Sequence, residues 1–441
     1  MSSEVKNQAE ILSKIGIEAL NPMQIEAQEA IASGNDLVLL SPTGTGKTLA
    51  FLLPLIQKLD PEIEHVQCLI LAPSRELALQ IEQVLKDMGT GLKTNAVYGG
   101  RPMTQDRQDL NQSPAILVGT PGRVADHLRK GTVIPDYISY LVLDEFDKSL
   151  EIGFEGEMRE IISTLEDVKQ RILTSATQEI DIPEFARIKN PTTINKLKDG
   201  VKKLEVKVVE SEFKDKMPAL VQLLKHLGPK PGIVFCNFKE SINRVSDYLK
   251  ENGLTHGIFY GGMEQKDRER ALIKFRNGTH SLLLATDLAA RGLDVPEIEF
   301  IVHYHLPLKS HEFTHRNGRT ARMHSNGTAY VLQYQKERLP DFIESLKAEK
   351  MIATELPESA EEKEKEWCTL FVSGGRRDKI SKGDIAGMFF KQGKLKNEQL
   401  GVIELKPDCA FVSVEKTGVN QLIKLVDNAR LKSKKVRITR I

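Results

Sequence analysis

The feature that most limits how this chain can fold is a series of short, almost wholly apolar runs, each ending at turn residues. DLVLLSP (36–42), VQCLILAP (66–73), AILVGTP (115–121), YLVLDE (140–145) and RILTSAT (171–177) alternate with helix-length amphipathic stretches over the first 200 residues. They are brief, rich in Val, Ile and Leu, and do not alternate apolar with polar. That pattern predicts strands buried on both faces of a parallel sheet. KPGIVFCNF (230–238), HSLLLATD (280–287) and EFIVHYH (299–305) repeat the logic further along. Between the two sets, NPTTINKLKDGVKK (190–203) reads as a linker. Two α/β layers on a short tether would leave a cleft suited to a nucleotide.

The last segment reads differently. TLFVSGG, GVIELKP, AFVSVEK and KKVRITR predict four strands, with helices near Lys382–Lys391 and Gly418–Asn428. The order β-α-β-β-α-β is ferredoxin-like. The expected fold class is therefore α/β: two tandem parallel-sheet domains followed by a small α+β domain. The expected boundaries are 1–198, a linker at 199–206, 207–355, a charged linker at 356–366, and 367–441.

Charge supports this division. The whole chain carries 62 Lys+Arg against 61 Asp+Glu, a net of +1. Trp367 to Ile441 holds 11 Lys and 5 Arg against 7 Asp+Glu, a net of +9, which leaves −8 on residues 1–366. A basic appendage on an acidic body points to a polyanion such as a nucleic-acid backbone. The run ESAEEKEKE (358–366) reads as a solvated linker. No uncharged apolar run reaches 18 residues, so no membrane span is expected. The start, MSSEVKNQAE, lacks the order of a signal peptide. Four scattered cysteines without a CxxC pair predict free thiols, a reducing cytoplasm and no zinc site.

Two motifs carry chemistry. Ser41-Pro-Thr-Gly-Thr-Gly-Lys-Thr48 follows a strand and opens a helix, as a phosphate-binding loop does. Its glycines Gly44 and Gly46 let backbone N–H groups face phosphate oxygens, with Ser41, Thr43 and Thr45 completing the loop. Lys47 is expected on the β- and γ-phosphates and the Thr48 hydroxyl on Mg²⁺. Leu141-Val-Leu-Asp-Glu-Phe-Asp147 delivers Asp144 to a strand end, suited to orient Mg²⁺, with Glu145 beside it to polarise the attacking water. Together they predict an NTPase using Mg²⁺.

Beyond these, Pro73-Ser-Arg-Glu-Leu-Ala78, Gly99-Gly100, Thr120-Pro-Gly-Arg123 and Ser175-Ala-Thr177 occur in order. Gln265-Lys-Asp-Arg268, Ala285-Thr-Asp287, Arg291-Gly-Leu-Asp294 and His315-Arg-Asn-Gly-Arg-Thr-Ala-Arg322 follow. In this set the chain resembles the DEAD-box ATP-dependent RNA helicases, built on two RecA-like domains. The resemblance implies that Gln24 reads adenine and that Gly292 and Asp294 help hold the nucleotide. It implies that Ser175 and Thr177 link hydrolysis to domain closure, with Arg319 and Arg322 as arginine fingers, an effect worth roughly 10³–10⁵ in rate. RNA contacts are implied at Pro73, Arg75, Gly100, Thr120, Gly122, Arg123, Gln265, Arg268 and Thr286. Contacts to sugar and phosphate carry no base sequence, so this core is expected to be sequence-blind.

Some positions depart from the family pattern. Phe146 stands where the family has Ala, Leu20-Asn21 where it has Pro-Thr, and Ile17 where an aromatic often packs on adenine. Asn317 and Ala321 replace Ile and Gly.

The tail resembles the RNA-binding domain of the bacterial DbpA/YxiN type, through Leu370-Phe-Val-Ser-Gly-Gly-Arg-Arg-Asp-Lys379, Gly383-Asp-Ile-Ala-Gly387 and Leu400-Gly-Val-Ile403. Phe371 and Phe411 occupy strand positions where such domains stack bases, or else belong to its core. Arg376, Arg377, Lys379, Lys434, Lys435 and Arg437 are the preferred phosphate contacts. The resemblance implies a tether to large-subunit ribosomal RNA in ribosomal precursor particles, with unwinding of neighbouring duplexes. A general RNA chaperone, a non-catalytic RNA clamp and a DNA translocase are the competing expectations.

Overall fold

Without alternation of polar and apolar residues, the inner strands have no face to offer water, and Leu37–Leu40, Cys68–Leu71, Ile116–Gly119, Gly232–Phe235, Leu282–Ala285 and Phe300–His303 are buried along their whole length. The computed structural model describes residues 5–42, 44–177, 182–197, 204–287, 298–320, 327–359 and 366–441. Two compact units form, one from the first 202 residues and the other mostly from Lys203 onward.

In the first unit the strands are β1 (Leu37–Leu40), β2 (Cys68–Leu71), β3 (Thr94–Val97), β4 (Ile116–Gly119), β5 (Tyr140–Leu143), β6 (Gln170–Ser175) and β7 (Thr192–Asn195). They pair in the order β3-β4-β2-β5-β6-β1-β7, all parallel. The helices are α1 (Gln8–Ile15), α2 (Pro22–Ala32), α3 (Lys47–Ile56), α4 (Arg75–Met88), α5 (Met103–Asp109), α6 (Pro121–Arg129), α7 (Phe146–Ile152) and α8 (Glu155–Thr164). Two apolar layers flank the sheet. Leu37 and Leu39 face one with α2 and α3, while Val38 and Leu40 face the other with Phe146 and Met158. The stretch 190–203 is not wholly a linker, because Thr192–Asn195 pairs with β1 as an edge strand. Only Ile194 of this strand is fully buried, so no apolar run announces it.

The second unit holds β8 (Leu204–Ser211), β9 (Gly232–Phe235), β10 (Gly257–Phe259), β11 (Leu282–Ala285), β12 (Phe300–His303), β13 (Gly327–Tyr334) and β14 (Glu349–Ile352). Their order, β10-β11-β9-β12-β13-β8-β14, is again parallel throughout. The β8 strand starts inside the stretch expected as linker. Its main helices are α9 (Met217–Leu227), α10 (Lys239–Glu251), α11 (Gln265–Arg276) and α12 (Ser310–Asn317).

The tail, in the same unit, has α13 (Lys382–Lys391), α14 (Val419–Val426) and strands β15 (Trp367–Val372), β16 (Leu400–Leu405), β17 (Ala410–Glu415) and β20 (Ile438–Arg440). The antiparallel order β16-β17-β15-β20 is the ferredoxin-like arrangement. Lys434–Lys435 is split from the last strand and pairs with Arg430–Leu431 in a separate ribbon, β18 and β19. Cys368, Leu370, Val372, Val412 and Val414 point to the tail's helices and form its core.

The other face of the tail sheet packs on the end of α11. Arg276 makes two 2.9 Å hydrogen bonds to Glu404, and Ser413 Oγ donates to the Asn277 carbonyl at 2.9 Å. Thr279 and Thr369 share a 2.7 Å hydroxyl contact, and Lys406 pairs with Glu269 at 2.9 Å. Among the described residues, no helix is long and apolar enough to cross a membrane.

Candidate functional site

The loop expected to bind phosphate is shaped by glycine. Gly46 has φ +89, in the left-handed region that L side chains rarely adopt, and a Cβ there would press on the Gln24 amide. The turn opens α3, whose first N–H groups lack helical partners and suit an anion. Lys47 is buried, and its ammonium donates to the Ser41 and Pro42 carbonyls. Burial lowers its pKa to about 8, opposed by the nearby charges of Glu145 and Asp144. Ser41 and Thr45 hydroxyls lie 2.8 Å apart. Gln24 is buried in the first turn of α2 and donates to the Gly46 carbonyl at 3.3 Å.

Asn21 explains one departure from the family pattern. It caps α2, accepting from the Gln24 N–H at 2.9 Å, while Gln24 Oε1 accepts from the Asn21 N–H at 2.9 Å. Its amide also donates to the Thr45 carbonyl at 3.1 Å, joining helix to loop. Ile17 is partly buried against the core beside α2.

Asp144 leaves the end of β5 almost fully buried, and its Oδ1 accepts from the Thr174 hydroxyl. Burial, then the neighbouring Glu145, pushes its pKa up to about 6. Glu145 sits at φ +48, rare for a non-glycine residue, and its N–H donates to Thr174 Oγ1 at 3.1 Å. The fully buried Lys148 pairs with Glu145 at 2.8 Å. The Thr177 hydroxyl donates to Asp147 at 3.1 Å, and Ser175 Oγ accepts from the Thr177 N–H at 3.0 Å. Phe146 finds its room in the core, fully buried and 6.4 Å from the ring of Phe185. Sequence reasoning missed Thr174 and Lys148. Their only signals were adjacency to Ser175 and a three-residue spacing from Glu145.

Sheet order sorts the remaining residues. The loop 41–48, Asp144-Glu145 and Ser175-Thr177 lie at the ends of β1, β5 and β6 respectively, which are adjacent in the order β5-β6-β1. Pro73-Arg75, Gly100 and Thr120–Arg123 leave β2, β3 and β4, which are also adjacent. The two groups therefore occupy neighbouring halves of one sheet edge, meeting between β2 and β5. Gly100, at φ +93, lets the Arg75 guanidinium approach its backbone where a Cβ would collide. Thr120 holds the N-cap position of α6 without a side-chain cap bond, and Gly122 and Arg123 fall in the first turn.

In the second unit, Gln265 and Arg268 open α11 after β10, and Thr286 follows the neighbouring β11. The Arg268 guanidinium lies 4.7 Å from the Phe259 ring centre. Arg319 is buried just past α12. Thr43, Gly292, Asp294 and Arg322 lie outside the described residues, as does Ala321.

Two further residues tie the motifs of this unit together. Arg316, 2% exposed, grips Asp287 with two 2.6 Å bonds and also donates to Asn237 Oδ1 at 2.8 Å and the His305 carbonyl at 2.9 Å. Asn317 accepts from buried His303 Nε2 at 2.9 Å, which gives the departure from Ile a partner. Burial and the Arg316 charge hold His303 neutral, with its pKa down at about 3.

On the tail, the loop 373–379 and the segment 434–437 meet. Ser373 donates to the Arg437 carbonyl at 2.9 Å, and Lys434 pairs with Asp378 at 2.7 Å. The six basic side chains expected to contact phosphate thus gather at one end of the domain. Arg376, Lys379 and Lys435 are exposed, whereas Arg377 pairs with Asp408 at 3.1 Å and Arg437 with Asn428 at 3.2 Å. Base stacking on the sheet face is not what this arrangement offers. Thr369 and Ser413 are buried against α11, Phe411 is 6% exposed, and Phe371 meets it edge-on at 5.7 Å.

Comparison with known proteins agrees with the geometry. Residues 21–185 match the DEAD/DEAH box helicase family, 215–324 the helicase conserved C-terminal domain, and 369–440 the DbpA RNA binding domain. The chain is 33% identical to the ATP-dependent RNA helicase DbpA of Escherichia coli, over 97% of this chain and 95% of that protein. It is 31% identical to DbpA of Bacillus subtilis, over 97% and 96%. Among solved structures it resembles Mss116 bound to single-stranded RNA and UDP-BeF, with TM-score 0.70 and 25% identity over 81% of this chain and 79% of that one. Saccharomyces cerevisiae Dbp5 bound to RNA and ADP-BeF3 gives TM-score 0.69 and 25% identity over 79% and 94%. The two RecA-like sheets, the nucleotide loop with its Asp-Glu strand end and the ferredoxin-like tail identify the chain as a DEAD-box ATP-dependent RNA helicase carrying a DbpA-type RNA-binding domain.

Proposed function

We propose that the chain separates short RNA duplexes at the expense of ATP, and that its tail brings it to a structured segment of large-subunit ribosomal RNA in a ribosomal precursor. The observation that carries the first part is the sorting of strand ends. The nucleotide residues and the backbone-contacting residues share one sheet edge, so a change at the phosphates is transmitted to neighbouring strands. Lys47 holds the phosphates, Glu145 orients the attacking water, and Arg319 and Arg322 supply charge to the transferred group. Thr48 and Asp144 hold Mg²⁺. Asp144 fits this role, because a buried carboxylate with a raised pKa gains from a nearby cation. No trio of His, Cys, Asp or Glu gathers as a metal site among the described residues. That suits Mg²⁺, which keeps waters and phosphate oxygens around one or two protein groups. Bound there, the ion neutralises charge on the phosphates.

Targeting is supported by the +9 charge of the tail and by the exposed Arg376, Lys379 and Lys435 at one end of it. The free, mostly buried cysteines support a cytoplasmic setting. Phosphate release should rise with added RNA, stay at its basal level with DNA of the same sequence, and vanish in Lys47→Ala. For the tail, binding should favour a large-subunit ribosomal RNA hairpin over an unrelated hairpin of equal length. Equal affinity for both would sink the targeting proposal while leaving the helicase intact.

A further inference from the structure

One buried carboxylate touches two of the elements that follow the strand ends proposed to meet RNA, the loop after β3 and α6 after β4. Asp106, on α5, has no exposed surface. Its Oδ1 pairs with Arg101 Nε at 2.9 Å. Its Oδ2 accepts from Arg123 Nε at 2.6 Å and lies 3.2 Å from His127 Nε2. The His127 ring is buried, and burial lowers its pKa despite the nearby carboxylate, so it meets Asp106 as a neutral donor. Arg123 is held a second time, by Nη2 donating to the Arg101 carbonyl. Its Nη1 has no partner among the described residues. Arg101 in turn pairs with Asp109 and lies 5.9 Å over the Tyr98 ring.

Three segments thus converge on one group: the loop after β3 and the first and second turns of α6. A guanidinium pinned by Nε and one Nη2 hydrogen has its remaining N–H donors fixed in direction. Long flexible cations lose much rotamer entropy on binding, and pre-ordering removes that cost from the binding step. We infer that Asp106 is a positioning residue for RNA binding, holding Arg123 in the orientation in which its free edge meets the phosphate backbone. The inference rests on the proposed role of Arg123 as an RNA-backbone contact.

The sign of the effect separates this role from simple electrostatics. Asp106 is negative and near the expected path of a polyanion, so removing its charge would by Coulomb's law alone strengthen RNA binding. The positioning role gives the opposite result. The full chain and its Asp106→Asn, Asp106→Glu, Arg123→Ala and Asp106→Asn/Arg123→Ala variants would be titrated with a labelled poly-uridine strand in the presence of a non-hydrolysable ATP analogue. Thermal melting would be recorded for each. Arg123→Ala and Asp106→Asn should each weaken RNA binding roughly tenfold, the scale of one charge-assisted hydrogen bond. The double variant should be no more than about twofold weaker than Arg123→Ala alone, since both changes remove the same contact. Affinity for the ATP analogue should be unchanged throughout.

Asp106→Glu keeps the charge but shifts the carboxylate by one methylene, and should weaken RNA binding without abolishing it even if the Asn variant fails to fold. Unchanged or tighter RNA binding in folded Asp106→Asn or Asp106→Glu, with Arg123→Ala weakened, overturns the inference. Losses that add in full in the double variant also overturn it. Normal RNA binding by Arg123→Ala removes its premise instead, and is recognised because it concerns Arg123 alone.

Discussion

Replacing Phe146 by alanine, the residue the family carries there, should damage this protein rather than restore it. Phe146 has no exposed surface and packs in the layer that also holds Phe185, Met158 and Ile161. A buried aromatic removes on the order of 150–250 Å² from water, which at about 25 cal/mol per Å² is roughly 4–6 kcal/mol before the alanine's own share is subtracted. Phe-to-Ala substitutions in cores cost about 3–5 kcal/mol, cavity included. The two routes converge on a loss of about 4 kcal/mol in the first unit. For a domain near 200 residues each kcal/mol shifts melting by about 2–4 °C, so the transition should fall by roughly 10–15 °C. Catalysis should survive, because Asp144 and Glu145 are held from elsewhere, by Thr174 and Lys148.

Calorimetry is the suitable assay. The chain's one tryptophan, Trp367, lies in the tail and reports the second unit, whose transition serves as the internal control. ATP turnover would be measured well below the lowered transition and should stay within about threefold of the parent, under half of the 1.4 kcal/mol that a tenfold change represents. A stability change below about 1 kcal/mol would refute the packing argument. Loss of turnover in fully folded protein would refute the claim that the ring is structural.

Three other outcomes are expected. With Lys47 near pKa 8 and Asp144 near 6 in the free enzyme, the ammonium is lost above the first value and the carboxylate below the second. kcat/KM for ATP should therefore peak between about pH 6 and 8 and fall on both sides; a profile flat to pH 9.5 would contradict this. Arg276→Ala should loosen the tail, since its bond to Glu404 is bidentate and partly buried, a kind of contact worth about 1.5–3 kcal/mol. Trp367, which packs by Gly278 and Gly401, should then become more open to acrylamide quenching, and unchanged quenching would argue against docking. Burial pushes the thiols of Cys68 and Cys236 up to about 12, so iodoacetamide should modify the part-exposed Cys409 first in native protein; equal labelling would contradict their burial.

What the sequence determined by itself was local. Apolar runs without alternation set the inner strands, and glycine and turn residues at their ends marked the loops that carry chemistry. Lys47, Asp144 and Arg123 could be named because each sits within a few residues of such an end. The edge strand β7 escaped this reading, since one buried residue makes no pattern. Tertiary structure alone decided which strand lies beside which, and so gathered the ends of β1, β5 and β6, proposed to bind nucleotide, apart from those of β2, β3 and β4, proposed to meet RNA. It also decided the partners of buried polar groups. Asp106 with Arg123, Arg316 with Asp287, and Asn317 with His303 are separated by 17, 29 and 14 residues. No periodicity encodes such pairs. Each exists because a polar group taken from water must find a partner, and the fold determines which one is near.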